Sequence, residues 1–238
     1  MIALMSGPFD YFILVLGLLL EAAVLACSLW RREFLRYLPL NLYVSLSAVG
    51  DVASWLVVRH FGLTSRPYFL FYYGSDLLLG LALYYVVIHL YQLTLANFNI
   101  KTYIRVGALA LLVLTCAYSY RAARGDTAFL NARFAVELEQ NLNFVGVVLT
   151  YFLWGAVMKL RETGTRLVQL ILALGIYFSA IAAAYAARAL FPQFDVHGVW
   201  RWAPPLISLW LPMAWSYAFL KIPTDARVLT RHVAVHAQ

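Results

Sequence analysis

The stretch PYFLFYYGSDLLLGLALYYVV (67–87) is a continuous apolar and aromatic run that holds one charged side chain, Asp76. A helix needs about 20 predominantly apolar residues to cross the roughly 30 Å of hydrocarbon in a bilayer. The stretch therefore predicts a membrane-spanning helix with Asp76 near its middle. An aspartate is costly at that depth, so its role is the main question that the sequence raises.

The whole chain has the composition of a multi-pass membrane protein. Of its 238 residues, 63% are hydrophobic and 12% are charged, whereas a soluble domain has about 45–50% apolar and about 25% charged residues. This composition excludes a soluble globular enzyme and makes the lipid bilayer the first predicted partner. The net charge is +7, but the basic residues lie at the ends of apolar runs and form no block that would bind nucleic acid.

Six further apolar runs flank the first one. Together they predict seven spans, at residues 9–30, 38–59, 67–92, 104–120, 133–158, 167–190 and 202–220. We predict an all-α fold, a polytopic bundle of seven transmembrane helices that forms a single membrane domain over residues 1–238.

The two halves of the chain follow the same order of features. In each half an apolar helix ends in a basic turn (28–37 and 156–166), and a helix rich in small residues and an aromatic-rich helix follow. This order predicts a 3+1+3 parallel repeat in which span four is the linker. In many carriers such a repeat places the ligand site between the two halves.

Lysine and arginine predict the orientation. Eleven of the 18 lie in the loops after spans one, three and five and in the C-terminal tail, and the richer side is normally cytoplasmic. We expect a protein of the inner (cytoplasmic) membrane with its N-terminus outside and its C-terminus in the cytoplasm. Cys27 and Cys116 then lie near opposite faces, which predicts free thiols.

Polar side chains inside the predicted spans are the candidate binding residues. The candidate ligand-binding residues are Glu21, Asp51, Asp76 and Asn143, with Tyr73 and Tyr84 as their expected hydrogen-bond partners. A charged acid at the bilayer centre costs about 2.5–3.5 kcal/mol on insertion scales, so these acids should face the bundle interior. No lysine or arginine lies mid-span to neutralise them. We expect protonated acids that hydrogen-bond to hydroxyl groups, or a polar cavity for water, a cation or an amine. Glu137 and Glu139 are expected at the outer boundary.

Three functions are compatible with this pattern. The favoured one is binding, transport or sensing of a small cationic or proton-coupled solute. The second is a non-catalytic subunit of a larger membrane complex, in which the acids hydrogen-bond between helices. The third is an intramembrane enzyme that uses Asp51 and Asp76 as an acid/base pair.

No catalytic residue, cofactor or metal ligand is assigned from the sequence. No Cys/His spacing suits a metal, and no glycine-rich loop suits a phosphate. His89 is the one histidine well inside a predicted span, so a haem held by two facing histidines has no second ligand.

Several membrane families share parts of this pattern. Retinal proteins have seven helices, but their covalent lysine lies mid-span in the last helix, where this chain has SLWLPMAW (208–215). VGD (49–51) and YGSD (73–76) resemble in part the glycine–aspartate motif of intramembrane aspartyl proteases. The aromatic run before an acid in 67–87 and the acid-led VELEQNLNFVGVVL (136–149) resemble uncharacterised bacterial seven-helix membrane proteins. That resemblance implies a seven-helix fold and no particular activity.

Overall fold

The structure is a computed structural model that describes residues 8–62, 65–96, 100–123, 130–160, 165–190 and 199–222. Within these residues the regular secondary structure is entirely helical, as predicted. The helices are α1 (Pro8–Trp30), α2 (Leu38–Phe61), α3 (Arg66–Thr94), α4 (Lys101–Ala123), α5 (Leu130–Leu160), α6 (Thr165–Leu190) and α7 (Val199–Lys221). Each predicted span lies almost entirely within one of these helices.

Six of the described helices, α1 to α6, are long and apolar enough to cross a membrane. The seventh, α7, contains Pro204, Pro205 and Pro212. Many large apolar side chains point outwards, for example Trp30 (85% exposed), Leu35 (81%) and Phe152 (70%). Such an apolar exterior is what a bundle surrounded by lipid requires, so the chain is a multi-pass, membrane-type helical bundle by length and composition.

Local signals explain several helix ends. Ser65 caps α3, because its hydroxyl accepts a hydrogen bond from the Tyr68 backbone N–H at 3.3 Å, and Pro67 stands where the helix needs no N–H donor. Gly62 ends α2 in a left-handed conformation (φ 78°) that favours glycine. These signals place the α2–α3 connection at one end of the bundle.

The α1–α2 connection ends α1 with a Schellman motif. The Glu33 N–H donates to the Ser28 carbonyl at 3.0 Å, and the Arg32 N–H donates to the Leu29 carbonyl at 3.0 Å. Arg32 has φ 55°, the left-handed conformation of the C′ position. The tight turn buries Glu33 at this end of the bundle.

Six helices surround the bundle axis, and one lies outside. Contacts join α1 to α2, α2 to α3, α3 to α5, α5 to α6, α6 to α7 and α7 back to α1. Helix α4 packs on the outside of α3 and α5. The ring therefore brings α1, α2, α3 and α5, the helices that carry intramembrane acids, into neighbouring positions.

The two halves of the bundle are packed differently. We call the end where α1 and α7 finish and α2 and α6 begin the basic end. The fully buried apolar core lies in the half nearest to it and includes Leu40, Val87, Leu174, Trp215 and Phe219. In α2 the buried residues are confined to 39–44, and in α3 none lies between Tyr68 and Leu83. The half opposite the basic end is therefore less tightly packed.

Candidate functional site

Four carboxyl groups from four helices form a row that runs from the middle of the bundle into the less tightly packed half. We call Glu21 of α1, Asp51 of α2, Asp76 of α3 and Glu139 of α5 the acid row. Glu21 interacts electrostatically with Asp51, Asp51 with Asp76, and Asp76 with Glu139. The row begins near the middle of α1 and ends within the first three turns of α5.

Tyrosine hydroxyl groups line the end of the row formed by α3 and α5. The Tyr185 hydroxyl donates to Glu139 Oε1 at 3.1 Å. Tyr72 lies within hydrogen-bonding reach of Asp76, one helical turn away on the same helix. Because both hydroxyl groups can also accept a hydrogen bond, this end of the row offers donors and acceptors in alternation.

A second tyrosine pair lies beside the middle of the row. Tyr43 of α2 and Tyr177 of α6 lie side by side with interacting hydroxyl groups. Tyr43 interacts electrostatically with Glu21 and Asp51, and Tyr177 interacts with Asp76 and Glu139. The pair therefore interacts electrostatically with all four acids, and Tyr177 connects the row to α6.

Two buried polar atoms at the α1 end of the row lack a hydrogen-bond partner among the described residues. They are Oε2 of Glu21, a residue that is 7% exposed, and Nε1 of Trp215, a residue that is fully buried. Both side chains neighbour Tyr43, whose ring centroid is 5.9 Å from that of Trp215. An unsatisfied buried polar group costs about 1–3 kcal/mol, so such groups normally mark the position of a water molecule or ligand atom.

The structure brings some of the sequence-predicted site residues together and separates others. Glu21, Asp51 and Asp76 lie in one electrostatically connected row. Asn143 is buried on α5, one turn beyond Glu139. The Tyr84 hydroxyl donates to the Ala108 carbonyl of α4 at 2.8 Å, so its bond goes to the backbone and not to a carboxyl group.

Tyr73 is placed among aromatic rings. Its centroid is 5.4 Å from that of Tyr72 and 6.5 Å from that of Phe69. Tyr72, the preceding residue, is the tyrosine beside Asp76. The sequence analysis selected Tyr73 for this role, although Tyr72 also lies about one helical turn from Asp76.

Sequence reasoning missed Glu139 and the tyrosines of α2 and α6. Glu139 was expected at the outer boundary and was not assigned to the site; the structure shows it partly exposed and accepting the Tyr185 hydrogen bond. Its position on the same helix stripe as Asn143 was the available signal. Nothing in the sequence separates Tyr43, Tyr177 and Tyr185 from the chain's other tyrosines, since aromatic residues are common throughout the spans.

A different kind of carboxyl site occupies the basic end. Glu33, in the α1–α2 turn, forms a buried ion pair with Arg166 at the start of α6. The Arg166 guanidinium also donates to the Ile222 carbonyl at the end of α7 and lies 5.7 Å from the Phe219 ring centroid. The ion pair and the hydrogen bond thus connect the α1–α2 turn, the start of α6 and the end of α7 around Glu33.

Neighbouring polar contacts complete this end. The Ser28 hydroxyl donates to Asn41 Oδ1 at 2.9 Å, and Asn41 Nδ2 donates to the Phe34 carbonyl at 3.0 Å. Arg31 donates to the Leu220 carbonyl at 2.9 Å. From sequence, Arg31 of the α1–α2 turn and Arg166 of α6 are interpreted as determinants of orientation. The structure shows that both side chains also bind the end of α7.

No protein-family profile, curated protein or solved structure matches this chain. Among the residues that the structure describes, no three His, Cys, Asp or Glu side chains come close enough to hold a metal ion. The acids of the row therefore do not converge on one point.

Proposed function

We propose that this multi-pass membrane protein binds a small cationic solute, exemplified by a protonated amine, at the acid row. The observation that carries the proposal is the electrostatic coupling of four carboxyl groups from four helices, with no lysine or arginine at mid-span to balance them. Adjacent carboxylates in a medium of low polarity repel one another, and a bound cation or protons relieve that repulsion.

The surroundings of the row favour an amine over a bare metal ion. Tyrosine rings present a negative face to cations, and carboxylates accept the hydrogen bonds of an ammonium group. Tyr43, Tyr72, Tyr177 and Tyr185 supply such rings and hydroxyl groups beside the acids. The row is too extended for three acids to surround one metal ion.

The packing of the bundle gives the site one accessible side. The apolar core closes the half next to the basic end, whereas Asp76 and Glu139 lie in the half with few buried residues. By the lysine and arginine distribution, the accessible side faces the cell exterior. Transport additionally requires the basic end to open, and the two groups α1–α3 and α5–α7, as halves of a 3+1+3 repeat, are the units expected to move.

Thermal unfolding of the purified protein in the presence of methylammonium tests this function. A ligand that binds only the native state at 100 times its Kd adds about 2.7 kcal/mol to stability. We expect methylammonium to raise the melting temperature of the wild type and of the control variant Glu137→Gln, and to leave Asp76→Asn unchanged. If no protein responds, or if Asp76→Asn responds like the wild type, the acids are helix contacts, and the role of a non-catalytic membrane subunit is favoured instead.

A further inference from the structure

Helices α1, α2 and α7 meet in a buried layer at the α1 end of the acid row. The Ser216 hydroxyl of α7 lies 3.5 Å from the Leu20 carbonyl oxygen of α1, and these two residues adjoin Trp215 and Glu21 in the chain. Tyr43 of α2 interacts electrostatically with Glu21, and its ring meets that of Trp215 edge to face, with 5.9 Å between the centroids. Glu21 and Trp215 are therefore neighbours of one tyrosine, from two different helices.

Glu21 and Trp215 each carry a polar atom that lacks a hydrogen-bond partner among the described residues. The atoms are Oε2 of Glu21, a residue that is 7% exposed, and Nε1 of Trp215, which is fully buried. A buried indole N–H usually has a partner. Trp210 on the same helix shows this, because its Nε1 donates to the Ala173 carbonyl at 3.0 Å. Trp215 departs from that rule beside an acid that departs from it too.

The two atoms are complementary in hydrogen bonding. The indole Nε1–H only donates, whereas a carboxylate oxygen accepts. The oxygen of a water molecule or hydroxyl group can accept from Trp215 and donate to Glu21 at the same time, but an ammonium group has no lone pair for the indole. Buried water molecules typically make about three hydrogen bonds to groups of this kind. Tyr43, which neighbours both residues, carries a hydroxyl group that can serve as the third partner.

We propose that a hydroxyl-type oxygen binds between Nε1 of Trp215 and Oε2 of Glu21 and connects α1 to α7. We call this arrangement the α1–α7 bridge. The oxygen belongs either to a buried water molecule or to the hydroxyl group of an amine bound at the acid row, because Glu21 is a member of both the row and the bridge. The ligand source rests on the proposed function and narrows its substrate class to hydroxylated amines, whereas the water source is independent of that function.

The hydrogen bonding of the Trp215 indole tests the bridge directly. Ultraviolet resonance Raman spectroscopy distinguishes a bonded from a free indole N–H, and the difference between the wild type and Trp215→Phe isolates the signal of Trp215. The same difference for Trp210→Phe is the matched control and supplies the reference for a bonded N–H. We expect the Trp215 signal to match this reference, without ligand if the oxygen is water and with a hydroxylated amine if the ligand supplies it.

Variants of Glu21 give a second route that leaves the core tryptophan in place. Glu21→Leu removes the acceptor and should shift the Trp215 signal towards a free N–H. Glu21→Gln keeps a carbonyl oxygen and should retain the bonded signal. If Trp215→Phe does not fold, the difference between the wild type and Glu21→Leu reports the same change.

Two amines that differ only in a hydroxyl group, ethylammonium and 2-hydroxyethylammonium, separate the two sources of the oxygen. If the ligand supplies it, the wild type should bind 2-hydroxyethylammonium roughly tenfold more tightly, as expected when a buried polar group gains its hydrogen bond. That preference should disappear in Trp215→Phe and persist in Trp210→Phe. If water supplies the oxygen, the Trp215 N–H is bonded before any amine is added, and the two amines bind alike.

The outcomes separate the bridge from the proposed function. A Trp215 N–H that is free without ligand and with either amine, or one that stays bonded in Glu21→Leu, overturns the bridge and leaves the cation site standing. If the wild type binds neither amine, the proposed function fails, and the ligand-free spectrum still decides whether a water molecule forms the bridge.

Discussion

The two halves of the bundle treat buried acids in opposite ways. At the basic end, Glu33 is paired with Arg166 and lies beneath a fully buried apolar core. In the other half, the acid row has tyrosines and further acids as neighbours, and the helices around it bury few residues. The comparison teaches that this chain pairs an acid with a cation where the helices are tightly packed and groups acids where the helices bury fewer residues.

The largest expected effect comes from breaking the ion pair at the basic end. Arg166→Met leaves Glu33 buried without a cation and removes the bonds to the Ile222 carbonyl. Removing one partner of a buried ion pair costs about 3–5 kcal/mol, so the free energy of unfolding should fall by that amount. Equilibrium unfolding in mixed micelles measures it.

The double variant Arg166→Met/Glu33→Leu is the control for that experiment. Replacing both charges with apolar groups removes the unpaired acid, so most of the lost stability should return. A loss below about 1 kcal/mol in the single variant would mean that the pair is hydrated, and the contrast between the two halves would disappear.

A smaller effect tests how tightly α5 and α6 are packed against each other. A Cβ atom on Gly146 of α5 would lie 2.6 and 2.7 Å from two ring carbons of Phe178, a residue that is 2% exposed. Gly146→Ala should therefore cost about 1–3 kcal/mol, because the buried ring has little room to move.

Gly50→Ala in the open half is the matched variant. Its Cβ atom meets nothing within 4 Å, so stability should be unchanged or should rise by about 0.5–1 kcal/mol, as expected for alanine in place of glycine in a helix. Equal destabilisation by the two substitutions would show that Gly50 is surrounded as tightly as Gly146.

The smallest effect concerns the hydrogen bonds of the acid row. Tyr185→Phe removes the bond to Glu139, and hydrogen bonds between membrane helices average about 0.6 kcal/mol. We expect a loss of that size and a weaker methylammonium response. Tyr217→Phe, at a tyrosine that is 58% exposed, should change neither quantity; a matching loss there would remove the special role of Tyr185.

The sequence predicts the helices well because an apolar run long enough to cross a bilayer is a property of local composition. It predicts helix faces poorly, because lipid-facing and core-facing side chains are equally apolar. Asp76 was identifiable since an acid inside such a run is rare. The partnership of Glu33 and Arg166 was not, because it joins residues 133 positions apart that both look like ordinary loop charges.

The same reason explains why Glu139 was not selected as a site residue. The position of Glu139 near the start of α5 suggested a hydrated boundary residue. The environment of Glu139 also depends on α3 and α6, which both pack against α5. The choice between Tyr72 and Tyr73 was difficult for a related reason, since it depends on the rotation of α3 in the bundle. Packing between distant segments therefore decides the site, and one sequence holds little information on it.

A double-mutant cycle on Asp51 and Asp76 tests the central claim most directly, because it asks whether the acids act as one unit and needs no ligand. The free energy of unfolding is measured for the wild type, Asp51→Asn, Asp76→Asn and the double variant. We predict an interaction energy of about 0.5–3 kcal/mol, as found for residues that share one network. Additivity within about 0.3–0.5 kcal/mol would contradict the account, because it would mean that the two carboxyl groups do not interact.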